Sequence, residues 1–208
     1  EQEKGVEAVI EATEEERKRI AKDLHDGVGQ QLSALKRGFE DLEGKLAAEE
    51  KEQASGLKSL VDQTASDTRE ISHRMMPRVL MEMGLVPAID DLLSKTLKHT
   101  SIEHEFEHYK LKSRYDERKE IAVFRILQEL INNVIKHSGA TMVNIQLMEI
   151  KSRLILSVED NGSGFNADHE KGLGMMTIKN RLNVLKGDVG FEPSPESGTV
   201  ARVSIPVA

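Results

Sequence analysis

The chain has 208 residues, a net charge of −7, no cysteine and no tryptophan, and only 3% of its residues are aromatic. That length accommodates one large domain or two small ones. A hydrophobic fraction of 38% can build a core, but a charged fraction of 31% is high for one fully packed globule. The lack of cysteine excludes a disulfide framework, a thiolate zinc site and a cysteine nucleophile. The acidic balance and scarce aromatics argue against a polyanion binder or a base-stacking nucleic-acid platform, while leaving room for a local phosphate site.

No apolar run approaches the roughly 18 residues of a membrane span. The first 19 residues are charged and lack the apolar centre of a signal peptide. The sequence starts inside a charged helical pattern, which reads as a fragment of a longer protein with a sensor or membrane anchor upstream.

The first third is helical. Ile20, Leu24, Val28, Gln31, Leu35, Phe39, Leu42 and Leu46 recur at steps of three and four, one stripe on a helix turning about 100° per residue. A stretch over 47–56, rich in Ala, Glu, Gln, Ser and Gly, is expected to hold a turn. A second stripe follows through Leu57, Leu60, Thr64, Thr68, Ile71 and Met75, and Pro77 ends it. A single hairpin of this kind cannot cover its own apolar stripes. Two hairpins pairing as a four-helix bundle can, so a homodimer is expected; the alternative is a hairpin folded against the rest of its own chain.

After Pro77 the pattern changes. Gly84, Leu85 and Pro87 open a shorter helix over 88–99, and a strand alternation follows over 101–108, with Ile102, His104, Phe106 and His108 on one face. A helix is predicted over 116–137. Strands over 141–150 and 154–158 are joined by a turn at Lys151 and Ser152. A glycine-rich segment over 162–174 precedes a helix over 175–186, and two closing strands flank a turn at 193–198. The second part is therefore a mixed layer, strands on one side and helices on the other.

Three segments carry chemistry. On the first helix, His25 lies about 80° from the centre of the apolar stripe, and Gln30 falls about 40° from Asp26, one turn further on. Imidazole is a nitrogen nucleophile near neutral pH. The neighbouring carboxylate can take its proton or hold its tautomer, and the amide can position a water. Gly27 and Gly29 clear side-chain bulk beside His25, at about 1 kcal/mol each in helix propensity. A solvated histidine on a charged helix is the plain alternative.

In the second segment, Glu129 and Asn133 are four apart on one helix face, with Lys136 and His137 one turn on. Carboxylate and amide oxygens suit Mg²⁺, and Lys136 and His137 can meet phosphate charge. The third segment runs from Asp160, Asn161, Gly162 and Gly164 to Gly172, Leu173, Gly174 and Met175. Asp160, at a strand end, can accept a hydrogen bond from an exocyclic amine. Glycines at a helix N-terminus suit phosphate. This is neither a Walker loop nor a Rossmann fingerprint, and Asn-Gly alone also signals a hairpin turn.

Together, in this order and spacing, these blocks resemble the core of a bacterial sensor histidine kinase. They are closest to the subclass that partners LuxR/NarL-type response regulators. The likeness runs from about Glu15 to Pro206 and includes Arg19, Asp23 and Leu24 beside His25, the 77–88 link, and Gly198-Thr199 before the last strand. It implies an α+β multidomain fold. A dimerisation and histidine-phosphotransfer hairpin over 1–80 forms a dimeric four-helix bundle, followed by an α/β-sandwich, Bergerat-type ATP-binding domain over 81–208. By resemblance His25 is the phosphoacceptor and Asp26 its general base. Asp26 and Gln30 serve a phosphatase reaction on the regulator. Asn133 ligates Mg²⁺ with Glu129 assisting, and Asp160 binds the adenine amine. Lys136, His137, Gly162, Gly164, Gly172, Leu173, Gly174, Met175 and Thr199 surround the ATP, and residues 165–171 form a lid shorter than those of other histidine kinases. The resemblance also implies a homodimer, a response-regulator partner, no direct nucleic-acid contact and a cytoplasmic location.

Other readings compete. His104-Glu105-Phe106-Glu107-His108 matches a zinc-protease pattern that requires a helix, whereas the alternation here predicts a strand. A gyrase- or chaperone-type ATP module would lack the histidine hairpin, and an inactive dimerising scaffold would not need Asn133, Asp160, Gly172 and Gly174. His73, His99 and His169 read as ordinary surface residues.

Overall fold

The computed structural model describes residues 2–43, 45–164, 172–194 and 197–207. Its contacts divide the chain into two compact units, one over Val9–Arg78 and the other over Val79–Ala208 together with Glu1–Ala8.

The first unit is the helical hairpin. Helix α1 covers Gln2–Asp23, α2 Gln30–Glu43 and α3 Ala48–Met75. Between α1 and α2 the chain stays helical but widens, and Leu24–Gly29 is a π-helical segment. The uniform 100° wheel therefore fails in this segment. In a π turn the hydrogen bonds run from i to i+5, so the angular offsets of a 100° wheel do not hold between His25 and Gln30. The turn between the helices also lies earlier than the composition predicts, at Lys45–Ala47, and Gly56 sits inside α3. The start of α3 is fixed by Glu50, whose Oε2 accepts from the Ala47 N–H at 3.2 Å and so satisfies a donor the helix leaves open. Two contacts tie the arms together. Lys36 Nζ donates to Asp62 Oδ1 at 2.7 Å, and Ser72 Oγ donates to the Ala21 carbonyl at 3.0 Å, one turn before His25. Helix α3 stops at Met75, two residues before Pro77, as predicted.

The second unit opens with a helix the sequence does not announce, α4 over Arg78–Met83, and then α5 over Leu85–Leu97, which starts three residues earlier than predicted. Pro87 falls in the first turn of α5, where a missing N–H costs nothing. A five-stranded sheet follows, built from β1 (Glu103–Tyr109), β2 (Met142–Ile150), β3 (Arg153–Asp160), β4 (Asp188–Pro193) and β5 (Thr199–Pro206), in the order β1-β2-β3-β5-β4. Strand β1 runs parallel to β2, with α6 (Glu117–Asn133) as the crossover, and the remaining pairs are antiparallel. The β2–β3 connection is the predicted two-residue turn, with Lys151 and Ser152 both at positive φ.

One face of the sheet is apolar and covered. Val143, Ile145 and Leu147 of β2, Leu154, Leu156 and Val158 of β3, and Ala201, Val203 and Ile205 of β5 are all buried. They pack against Ile89 and Leu93 of α5, Ile126, Leu127 and Ile131 of α6, and Ile178 and Leu182 of α7 (Leu173–Val184). The period-two burial of the central strands under helices on one face is what a two-layer α/β unit requires; α6 is enclosed all round in its middle, buried at every residue from Ala122 to Leu127. Helix α7 begins and ends two residues before its predicted limits. On edge strand β1 only Phe106 is partly buried, while His104 and His108 are exposed. The protease pattern lies on a strand, and no group of three metal-ligating acidic or histidine side chains occurs among the described residues.

Candidate functional site

The functional residues fall in two places, one on each unit. On the hairpin, the π segment carries His25 and Asp26 side by side in solvent. The His25 Nδ1 lies 3.0 Å from Asp26 Oδ1, and its Nε2 lies 3.3 Å from Arg78 Nη1. A guanidinium has donors only, so Nε2 accepts from Arg78 and the ring proton sits on Nδ1, donated to Asp26. In that tautomer the ring keeps its electron pair at Nε2 and turns its Nδ1–H to the Asp26 carboxylate. Gln30 caps the π segment. Nothing lies within 4 Å of a Cβ built on Gly27, and one on Gly29 would meet only the Leu24 carbonyl at 3.4 Å, so the expected clearing of bulk beside the histidine is not what these glycines do.

On the second unit, a cavity of about 330 Å³ opens where the end of α6, the start of α7 and the sheet meet. Its size suits a small ligand. Sheet register builds its floor. Val158 pairs with Ala201 and Asp160 with Thr199 across β3 and β5, so all four line the cavity from adjacent rungs of one face. Phe191 and Met175 add apolar surface. Asp160 is buried. Its Oδ1 accepts from the Gly162 N–H at 2.8 Å. Desolvation pushes its carboxyl above the usual value of 3.8, against the pull of the Gly162 and Thr199 N–H groups. A buried acceptor at the deep end of an apolar slot is what an exocyclic amine on a flat heterocycle needs.

The open end is polar. Glu129 and Asn133 come from one face of α6, and Lys136 and His137 from a second π segment, Val134–Ser138, ended by Gly139 in the left-handed conformation. Both π segments among the described residues thus carry residues of the candidate sites, a frequent placement for such widened turns. Gly174 stands in the first turn of α7 against Glu129, where a methyl group would collide with the carboxylate oxygen. The missing side chain at Gly174 thus lets the Glu129 carboxylate approach the first turn of α7.

Ten of the predicted residues line this cavity: Glu129, Asn133, Lys136, His137, Asp160, Gly164, Gly172, Gly174, Met175 and Thr199. Gly162 does not. It packs against Ser138, where any side chain would strike the backbone oxygen, and so holds the loop after the second π segment in place. Asn161 is likewise a brace, its Oδ1 accepting from the N–H groups of Thr141 and Met142, both at 2.9 Å. The backbone of Leu173 opens α7. The expected lid over 165–171 lies outside the described residues, as does His169. Sequence reasoning missed Val158, Ala201, Phe191 and Ser138. Val158 was accessible, since alternation puts it on the face of Asp160, and Ser138 directly follows His137 in the second π segment; Ala201 and Phe191 depend on which strands neighbour β3.

Mg²⁺ fits the donors at the open end. Asn133 and Glu129 supply two oxygens, and such sites are completed by substrate phosphates and water rather than by an all-protein cage.

A family described as "Histidine kinase" matches residues 16–80. A family described as "Histidine kinase-, DNA gyrase B-, and HSP90-like ATPase" matches residues 118–208. The signal transduction histidine-protein kinase/phosphatase DegS of Brevibacillus brevis is 30% identical over 205 residues, covering 96% of this chain and 53% of that protein. The sensor histidine kinase ComP of Bacillus subtilis is 31% identical over 203 residues, covering 92% and 26%. This chain thus spans about half the length of the first relative and a quarter of the second. The blue-light activated histidine kinase of Erythrobacter litoralis shares the fold, with a TM-score of 0.55 and 16% identity over 74% of this chain and 59% of that one.

Proposed function

Because the chain belongs to the histidine kinases, with a kinase hairpin and an ATPase-type domain in sequence, we propose that His25 is its phosphoacceptor and the 330 Å³ cavity its ATP site. The observation that carries this reading is the His25–Asp26 pair, in which Nδ1–H is held by a carboxylate and Nε2 keeps its electron pair. Nε2 attacks the γ-phosphorus. The N–P bond forms as the bond to the β-bridging oxygen breaks, ADP leaves with the electron pair, and the Nδ1 proton passes to Asp26. Phosphoryl transfer of this kind rests on positioning and charge. Asp160 takes the adenine amine, Val158, Ala201 and Met175 its faces, and Thr199 the same end of the slot. Gly164, Gly172, Leu173 and Gly174 border the phosphates, Gly162 shapes their loop, and Lys136 and His137 meet their charge. Asn133, with Glu129 beside it, would hold Mg²⁺, which would supply positive charge against the phosphates.

In this reading the hairpin domain covers 1–80 and the catalytic domain 81–208, and two copies pair through the exposed stripes of α2 and α3. Phosphohistidine passes its group to an aspartate of a response regulator of the LuxR/NarL type, and Asp26 and Gln30 direct water onto the regulator's phospho-aspartate. The printed name of the DegS relative, kinase/phosphatase, supports this double activity. No helix among the described residues is long and apolar enough to cross a membrane. ATP use sets this part of the protein in the cytoplasm, with any sensor or anchor elsewhere in a longer chain.

Incubation with γ-labelled ATP and Mg²⁺ tests the reading. Label that is acid-labile and base-stable, present in wild type and absent from His25→Ala, is expected. Label surviving His25→Ala would assign another phosphoacceptor, and ATP binding without label would leave only the ATPase-type fold.

A further inference from the structure

We propose that Arg78 is a positioning residue for His25. It fixes the imidazole as the Nδ1–H tautomer with Nε2 as the attacking nitrogen, and afterwards counters the charge of the phosphoryl group on that nitrogen. The proposal rests on the reading of His25 as phosphoacceptor and goes beyond it.

The geometry carries it. Arg78 Nη1 lies 3.3 Å from His25 Nε2, across 53 residues of chain. Asp26 holds the opposite ring nitrogen at 3.0 Å. One neighbour is a donor that cannot accept and the other, ionised, an acceptor that cannot donate, so the two together admit a single tautomer. With Asp26 alone the ring could turn over, offering Nε2–H to solvent and an electron pair at the wrong nitrogen. Arg78 opens α4, right after the Met76-Pro77 break, and Pro77 is buried. Its backbone is thereby set by a stop to α3 that the sequence fixes with proline.

The same contact has a second use. Transfer replaces an electron pair at Nε2 with a phosphoryl group bearing about two negative charges at neutral pH. The guanidinium already at Nε2 needs only to shift its donors from nitrogen to phosphoryl oxygen, where its planar fork matches two oxygens at once. A lysine in its place keeps the charge but not the fork. A glutamine keeps an N–H donor, gains an acceptor and loses the charge. It can therefore satisfy either tautomer.

Two measurements on the whole chain test this. In protein labelled with ¹⁵N-histidine, with the His25 signal assigned through His25→Gln, long-range proton–nitrogen correlations report which ring nitrogen is protonated. Wild type is expected to show Nδ1–H, and Arg78→Gln a mixture with a substantial Nε2–H share. In parallel, Arg78→Gln should lower the initial rate of autophosphorylation by about tenfold or more, the loss typical of a charge-assisted hydrogen bond. Arg78→Lys should recover part of that rate, and affinity for a fluorescent ATP analogue should stay within twofold of wild type. An Nε2–H tautomer in wild type, an unchanged tautomer and rate in Arg78→Gln, or a fall in nucleotide affinity matching the fall in rate would each overturn the proposal. The tautomer is read without any phosphorylation. Absence of label in wild type would therefore sink the phosphoacceptor reading by itself and leave the hold of Arg78 on the ring to be judged by the spectrum.

Discussion

Asp160 shows how a single side chain can be poor for stability and good for binding. Burial raises its carboxyl above 3.8 in the folded protein, so the folded state holds this proton more tightly than the unfolded chain does. The sign follows from linkage. Below 3.8 the group is protonated in both states and costs nothing. As pH rises through the raised folded value, the penalty for a buried charge grows to its full size and persists at neutral pH. Asp160→Asn should therefore melt higher than wild type at pH 7 without nucleotide, and the gap should close near pH 4 in a scan of melting temperature against pH. The same variant should bind ATP about 10- to 100-fold more weakly, since the amine loses an ionised partner worth about 1.5–3 kcal/mol. Titration calorimetry at pH 7 reads that loss. A variant no more stable than wild type at pH 7 would remove the buried-charge account of this residue. Asp160 was legible in the sequence as the last residue of a strand before Gly162. Its burial and its pairing with Thr199 were not, because they arise from β5 entering the sheet beside β3, a non-local choice.

At the scale of elements, strands and long helices were readable because their burial is periodic. The misreadings share a cause: local features that break the period. Nothing in Leu24–Gly29 or Val134–Ser138 distinguishes an i+5 ladder from an i+4 ladder, so both π segments read as plain helix. Gly56 looked like part of a turn, yet a glycine on the exposed side of a long helix costs only about 1 kcal/mol, and the rest of α3 carries it. Helix α4 was missed because six residues are too few to show a stripe. It is held by Leu80, 1% exposed in the core, and by a polar clamp. Arg114 donates from Nε and Nη2 to the buried Glu120 carboxylate, at 3.1 and 2.8 Å, and from Nη1 to the Met81 carbonyl at 3.0 Å. Glu120 Oε1 also accepts from the Tyr115 N–H at 2.8 Å. Removing Arg114 leaves a carboxylate only 1% exposed with its charge uncompensated. Arg114→Met should then lower the urea midpoint of the catalytic unit, by less than for a fully buried pair because the arginine side chain is 44% exposed. Adding Glu120→Leu should restore most of the loss, since exchanging both partners for apolar groups strands no charge. Urea unfolding followed on the catalytic unit compares the three proteins, and a double variant as weak as the single one would show that the clamp acts through something other than its charge.

For the whole molecule, the two units solve the burial problem in different ways. The catalytic unit covers its apolar sheet face with its own helices. The hairpin does not: Leu35 is 53% exposed, Leu42 52%, Leu57 53% and Leu60 64%. Scattered exposed leucines are ordinary on a surface, but four of them recurring along the two stripes of one hairpin form a face that water penalises. A second copy of the same hairpin offers the same stripe, and in a symmetric pair each leucine acts twice. Burying one leucine is worth about 1.5–3 kcal/mol, so losing it from both copies weakens the pair by about 3–6 kcal/mol, or roughly a hundredfold to ten-thousandfold in dissociation constant. Leu60→Asp, which also sets a charge at the seam, should shift the protein from dimer to monomer in sedimentation velocity at micromolar concentration. Helix content by circular dichroism should hold, because Lys36–Asp62 and Ser72–Ala21 still join the arms within one chain. Autophosphorylation of the monomer then asks whether one copy suffices. A Leu60→Asp protein that still sediments as a dimer would place the partner surface elsewhere on the chain. It would leave the exposed leucines as the outer face of a hairpin that pairs by another side.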